Sequence, residues 1–312
     1  MVTCNFTFLS NDGKTAVHAV KWTPDSGEYK AILQISHGMV EFIERYIPFA
    51  EFLTTKGYMV VGHDHIGHGQ SVATQEDWGY FCENNPSDIV VADMHKLRTL
   101  IQEEHPGIPY FMLGHSMGSI LLRQYIQIYG NELDGAILMG VVQEQPQVVL
   151  SAGKNLCRVM SVFRGWHYRS NLVDNMVVGS FNKKFQPNKT RADWVTSDQE
   201  RLEAYCADPL CSFKFTVNAY YHMLAGMKKM QKPESVFMIP KSLPILLAAG
   251  TEDPCGGMGK GVRKIYDKYK KAGIKDVSLQ LYAGDRHELL NETDRTQVYL
   301  DLYDWMESKI SK

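Results

Sequence analysis

The sequence predicts an α/β fold: a mostly parallel central sheet flanked by helices and interrupted by an inserted helical segment. Three observations lead there. Apolar runs of strand length alternate with helical patterns, a glycine-flanked turn joins one run directly to a helix, and the alternation stops between about residues 143 and 240.

Taken in order, Cys4 to Leu9 and Ala16 to Trp22 flank the turn signal Asn11-Asp12-Gly13 and read as an antiparallel hairpin that opens the sheet. Further strand-type runs follow at Ala31 to Ser36, Tyr58 to Gly62, Tyr110 to Leu113, Ala136 to Val142, Ile245 to Ala249 and Val277 to Tyr282. A helix is expected near Tyr46 to Lys56, ending at Gly57, the residue type that tolerates the left-handed conformation closing a helix. A second starts at Pro86-Ser87, repeats apolar residues at Ile89, Val90, Met94, Leu97, Leu100 and Ile101, and stops at His105-Pro106-Gly107. Others are expected at Ser116 to Tyr129, Lys260 to Lys271 and Arg295 to Ile310. Strand followed by helix, repeated, means a parallel sheet covered on both faces. Residues 1–142 and 241–312 are therefore expected to form the core, and 143–240 an inserted helical cap rich in Trp, Tyr, Phe and Met. Those side chains either pack the cap's own small core or line an apolar acyl pocket.

At 312 residues the chain suits one large domain carrying an insertion, and 44% hydrophobic with 22% charged residues is ordinary for a globular protein. A formal net charge of −2 without a long basic run argues against nucleic acid as a partner. The start of the chain lacks a basic stretch followed by a long apolar run, and no segment approaches the roughly 18 uninterrupted apolar residues of a membrane span, so a cytoplasmic protein is expected. Cysteines at 4, 82, 157, 206, 211 and 255 show neither a C-x-x-C pair nor regular spacing, so reduced thiols are expected and no disulfide framework or zinc knuckle.

The chemistry centres on Gly114-His115-Ser116-Met117-Gly118, a G-x-S-x-G placed between an apolar strand and a helical pattern. The turn is sharp enough to need glycines on both sides of Ser116, and it lifts the hydroxyl clear of the backbone. A serine hydroxyl is a poor nucleophile at neutral pH, so a base must take its proton and an acid must orient that base. Both are expected after later strands, at the carboxyl end of the sheet. His287, in the loop after the last strand, is the candidate base. Asp253, after Ile245 to Ala249, is the candidate acid, with Glu252 beside it still open and Asp276 and Asp285 less suited. Two backbone donors should meet the developing oxyanion: the Met117 amide, next after the nucleophile, and the Met39 amide in Ser36-His37-Gly38-Met39. His37 either shares in that chemistry or ties the loop to its neighbours.

A metal centre is the competing reading, because His63, His65 and His68 follow H-x-H-x-x-H. Zinc hydrolases of that pattern need an aspartate where Gly67 stands, and Gly67 instead supplies the freedom that a tight turn requires. The three histidines are thus expected to be scaffold, and no metal is expected.

These residues resemble the monoacylglycerol lipase and lysophospholipase group of α/β-hydrolases, grouped by sequence with serine aminopeptidases. SHGMVEFIERYIPFAEFLTTKGYMVVGHDHIGHGQS looks like that group's oxyanion loop, first helix and D-x-x-G-x-G-x-S turn; GHSMGS like its nucleophile elbow; GTEDP and GDRHELLNE like its acid and histidine loops; CADPLC like the end of its cap. The resemblance runs from about residue 5 to 306. It implies the α/β-hydrolase fold, hydrolysis of monoacylglycerols or related single-chain esters without a cofactor, and a cap that touches membrane surfaces transiently. Arg164, Arg169, Lys183 and Lys184 either meet an anionic head group or form a solvated face. Cys255, two residues from Asp253, is either a reactive thiol beside the site or an inert packed one.

Overall fold

The computed structural model describes residues 1–83 and 86–310; residues 84, 85, 311 and 312 of the expected core spans lie outside the described residues. Five successive strands are buried along their whole length: β3 (Ala31–Ser36), β4 (Tyr58–His63), β5 (Tyr110–His115), β6 (Gly135–Met139) and β7 (Ile245–Gly250). Continuous apolar runs do this because neither sheet face can meet water. With β1 (Val2–Leu9), β2 (Ala16–Thr23) and β8 (Val277–Tyr282) they form an eight-stranded sheet in the order β1-β2-β4-β3-β5-β6-β7-β8. Only the pairings of β2 with β1 and β4 are antiparallel. This is the α/β-hydrolase architecture that the sequence predicts.

Period-two alternation divides the strand side chains between two cores. Phe111 and Leu113 of β5, Ile137 of β6 and Leu246 of β7 face one way, toward α1 (Ile47–Thr55) and α10 (Arg295–Ile310). Met112, Leu138 and Leu247 face the other, toward α2 (Pro86–Glu104), α3 (Met117–Tyr129) and α9 (Lys260–Lys271). Each fully buried aliphatic side chain here stabilises the fold by about 1.5–3 kcal/mol. Gln34, a buried polar side chain on β3, is satisfied: Tyr110 Oη donates to its Oε1 at 2.6 Å, and its Nε2 donates to the Met94 carbonyl at 3.0 Å.

Several strands run one or two residues past their expected ends, and three other boundary differences have a local reason. β6 stops at Met139 rather than Val142 because Gly140, at φ +54°, turns the chain. The helix expected from Tyr46 begins as a tighter 3₁₀ turn, Ile43–Tyr46, before α1. Ser116 stands outside α3 because its backbone, at φ 51° and ψ −115°, is not helical.

Between β6 and β7 the described residues contain helices and no strand: α4 (Gln147–Arg164), α5 (Asn171–Val177), α6 (Gln199–Ala207), α7 (Val217–Met230) and α8 (Pro233–Phe237). The two ends of this stretch are fastened together. Gln231 Nε2 donates to the Gln145 carbonyl, the Gln145 amide donates back to Gln231 Oε1, and Lys268 of α9 reaches both Glu144 at 2.9 Å and the Gln231 carbonyl at 2.6 Å. Among the described residues no helix is long and apolar enough to cross a membrane.

Candidate active site

The β5–α3 junction holds Ser116 in a region of backbone space that L-residues avoid. The flanking glycines make this arrangement possible. A Cβ on Gly118 would overlap the Ser36 carbonyl, and a Cβ on Gly114 would overlap the Gly118 carbonyl. Ser116 is locked further by its amide donating to the Met139 carbonyl at 3.0 Å and its carbonyl accepting from Ser119 Oγ at 2.7 Å. Because α3 begins at Met117, the Met117 amide belongs to the first turn, whose N–H groups lack partners within the helix.

Ser116, His287 and Asp253 form one hydrogen-bonded chain. Ser116 Oγ lies 2.7 Å from His287 Nε2, and His287 Nδ1 lies 3.0 Å from Asp253 Oδ2. Asp253 is fully buried and its other oxygen accepts from the Cys255 amide at 2.8 Å. Burial alone would lower the His287 pKa, but Asp253 and Cys255 beside the ring together outweigh it and hold the imidazole well above its ordinary value. The ring is clamped between His115 and Trp194, each with its centroid 4.9 Å away. A hydroxyl, an imidazole and a carboxylate in this order can pass a proton from oxygen to nitrogen without separating charge into bare apolar surroundings.

The other acids point elsewhere. Glu252 pairs with Lys184 at 2.5 Å and Asp276 with Lys309 at 2.9 Å. Asp285, buried and crowded by Asp294 and Glu292, is pushed up to about 7, mainly by burial.

On the opposite side of Ser116 lies the loop after β3. A Cβ on Gly38 would come within 3.1 Å of the Ser116 Cβ, so glycine allows the Gly38-Met39 backbone to approach the hydroxyl. His37 ties this loop down: its Nε2 accepts from the His65 amide at 2.9 Å, which leaves Nδ1 as the donor to the Gly38 carbonyl at 2.8 Å. His63, His65 and His68 are buried beneath it, with ring planes of neighbours nearly perpendicular. Asp64 closes the turn by accepting from the Ile43 and Gln70 amides, each at 2.8 Å.

Sequence reasoning missed a buried ionic bridge behind the site. Arg45 donates to Glu41 Oε2 at 2.8 Å and, through both terminal nitrogens, to Glu288 at 2.7 Å. Glu41 also accepts from the Gly38 amide and from Tyr46 Oη at 3.0 Å. One guanidinium thus joins the loop carrying Met39 to the loop carrying His287. Burial raises Glu41 to about 7 despite Arg45, whereas the bidentate contact with Arg45 overcomes burial and lowers Glu288 to about 2. The i, i+4 spacing of Glu41 and Arg45 was the visible signal; Trp194 gave none.

Two cavities meet at Ser116. One, about 380 Å³, is walled by Ile120, Val142, Val149, Leu150 and Leu224, with Cys255 and Ser116 also in its lining. The other, about 430 Å³, shares Met39, Ser116 and Trp194 but adds Asn175, Asn182, Thr190, Arg191 and Lys214. Burial pushes the Cys255 thiol up to about 11, so it is protonated at neutral pH. Of the basic residues considered for head groups, Arg169 is engaged with the carbonyls of Glu76, Trp78 and Lys214, and Lys184 with Glu252.

Residues 27–294 match the family described as serine aminopeptidase, S33. A monoacylglycerol lipase of Mycolicibacterium smegmatis is 26% identical over 304 residues, covering 97% of each chain. The Mus musculus monoglyceride lipase is 26% identical over 298 residues, or 93% of this chain and 86% of the mouse protein. Among solved structures, a highly thermostable carboxyl esterase from Bacillus coagulans in complex with glycerol superposes with a TM-score of 0.91 at 28% identity, covering 99% of both chains.

Proposed function

Because this chain belongs to the serine aminopeptidase S33 family and is a monoacylglycerol lipase-like serine ester hydrolase, we propose that its substrates are single-chain lipid esters, monoacylglycerol foremost, cleaved to fatty acid and glycerol. The observation that carries this reading is the 2.7 Å contact of Ser116 Oγ with His287 Nε2 at the mouth of an apolar cavity. The aliphatic chamber suits the acyl chain, and the polar one suits the leaving alcohol.

In the proposed reaction Ser116 attacks the ester carbonyl while His287 takes its proton, with Asp253 fixing the imidazole tautomer. The Met39 and Met117 amides hold the oxyanion. His287 then protonates the departing alcohol and activates the water that releases the fatty acid. The steps use no cofactor and no metal. Residues 143–240 act as the cap over both chambers, with 1–142 and 241–312 as the core.

Exposed side chains on α4 and α5 support transient docking of the cap on a membrane surface: Val162 is 76% and Phe163 79% exposed, with Leu172 and Met176 nearby. The reading places the protein in the cytoplasm, peripheral to membranes. A second substrate class, lysophospholipids, is favoured by Arg191 and Lys214 in the polar chamber, where they would meet a phosphate. A hydrolysis panel of monoacylglycerols, lysophospholipids, fatty amides and graded p-nitrophenyl esters decides between them. Ser116→Ala should abolish turnover throughout while leaving the circular dichroism spectrum unchanged; full retained turnover would sink the proposal.

A further inference from the structure

Cys255 stands close to two of the residues assigned above, and the three side chains have the donor set of a metal site. Potential ligand atoms of Asp253, Cys255 and His287 all lie within 4.8 Å of one another, and all three residues are buried. We propose that these residues form a binding site for a soft divalent cation, Zn²⁺ being the type ion, and that its occupation arrests hydrolysis.

The geometry is near what such an ion needs. Bonds of about 2.0–2.3 Å in a tetrahedral arrangement put ligand atoms about 3.3–3.8 Å apart; His287 Nδ1 and Asp253 Oδ2, at 3.0 Å, open slightly, and any pair at the 4.8 Å limit closes by about 1–1.5 Å. Charge favours it as well. A thiolate and a carboxylate neutralise a doubly charged ion, and a neutral complex is tolerated where a bare charge is not. The Cys255 amide already donates to Asp253 Oδ1 at 2.8 Å, which orients the carboxylate. Cys255 lies in the wall of the apolar cavity, so an ion arriving through that cavity meets it.

Arrest follows from where the protons go. In the metal-free chain the proton on Nδ1 faces Asp253 Oδ2, leaving Nε2 to accept from Ser116 Oγ. Coordination forms bonds from the cation to Sγ, to a carboxylate oxygen and to the Nδ1 lone pair. The thiol proton is released to solvent, and the imidazole proton moves from Nδ1 to Nε2, so the ring stays neutral. An Nε2 that carries a proton cannot take another from Ser116. The effect on activity rests on the proposed role of the three residues above; the binding itself does not.

The test uses the full chain, freed of metal with EDTA and desalted. ZnCl₂ is titrated against hydrolysis of p-nitrophenyl butyrate, and CdCl₂ binding is followed by its ultraviolet thiolate-to-metal absorbance. Zn²⁺ should inhibit, EDTA should restore the rate, and Mg²⁺ should do nothing. In Cys255→Ser and Cys255→Ala, each referred to its own metal-free rate, the inhibitory Zn²⁺ concentration should rise about tenfold or more and the cadmium absorbance should vanish. Cys206→Ser, altered at an exposed thiol, should keep both responses. The site is overturned if Zn²⁺ does not inhibit, if the Cys255 variants are inhibited like the unaltered chain, or if their cadmium absorbance persists. An untreated chain without esterase activity would instead defeat the proposed function, and the cadmium measurement would still judge the site.

Discussion

Lowering the pH from 7.5 to 5.0 should cost this protein about 6 kcal/mol of stability through three buried histidines alone. Burial lowers His63 from 6.5 to about 3, His68 to about 4 and His115 to about 3. A depressed histidine pKa means the unfolded chain binds the proton first. Stability is therefore complete above the unfolded value and is lost as pH falls toward the folded one. Below 6.5 each group loses about 1.36 kcal/mol per pH unit, or about 2 kcal/mol by pH 5.0. At pH 5.0 the folded values still lie lower, so the loss is set by the unfolded pKa. Three such groups approach the 5–15 kcal/mol that typically holds a domain together. His63 isolates the effect, because neither of its ring nitrogens has a protein hydrogen-bond partner. His63→Leu should be neutral or stabilising at pH 7.5 and should lose about 2 kcal/mol less than the unaltered chain on going to pH 5.0. Urea unfolding followed by tryptophan fluorescence at both pH values measures this difference of differences. Equal losses, within about 0.5 kcal/mol, would show that His63 is not held neutral by burial.

Three further outcomes are expected. The acid limb of kcat/KM should inflect above 6.5, because His287 is held up and must be neutral to act; Asp253→Asn should lower that inflection and cut the rate by about 10⁴-fold, both read from a pH–rate series. Arg45→Met strands two buried carboxylates, with Glu41 4% and Glu288 8% exposed, and should cost about 3–5 kcal/mol in chemical denaturation, while Arg45→Lys recovers only part because it cannot make the bidentate contact. Gly118→Ala drives a Cβ into the Ser36 backbone and should lower stability by about 1–3 kcal/mol in a denaturant titration, with loss of esterase activity as α3 shifts.

The central strands and the Ser116 turn were legible because each announces itself locally: a run buried on both faces must be apolar throughout, and a strained turn must carry glycines. The carboxylate that meets His287 was legible only to within one residue. Glu252 and Asp253 are adjacent, and which one meets His287 depends on side-chain direction, Glu252 turning out to Lys184 and Asp253 inward. The Arg45 bridge to Glu288 spans 243 positions, and nothing in either neighbourhood names the other. Trp194 is one aromatic among many between residues 143 and 240, where composition tells that helices pack but not which ring will lie against His287.

The knot of Glu144, Gln145, Gln231 and Lys268 has a consequence for how such proteins diversify. With both ends of the stretch held at the same spot, the chain between them is a closed loop whose mouth is fixed whatever it contains, and lengthening such a loop is cheap: each doubling adds only about 0.6 kcal/mol of closure entropy. Changes of length between residues 146 and 230 are therefore cheap in closure entropy, but they must preserve Trp194 against His287 and the Ser197 contact with Glu292.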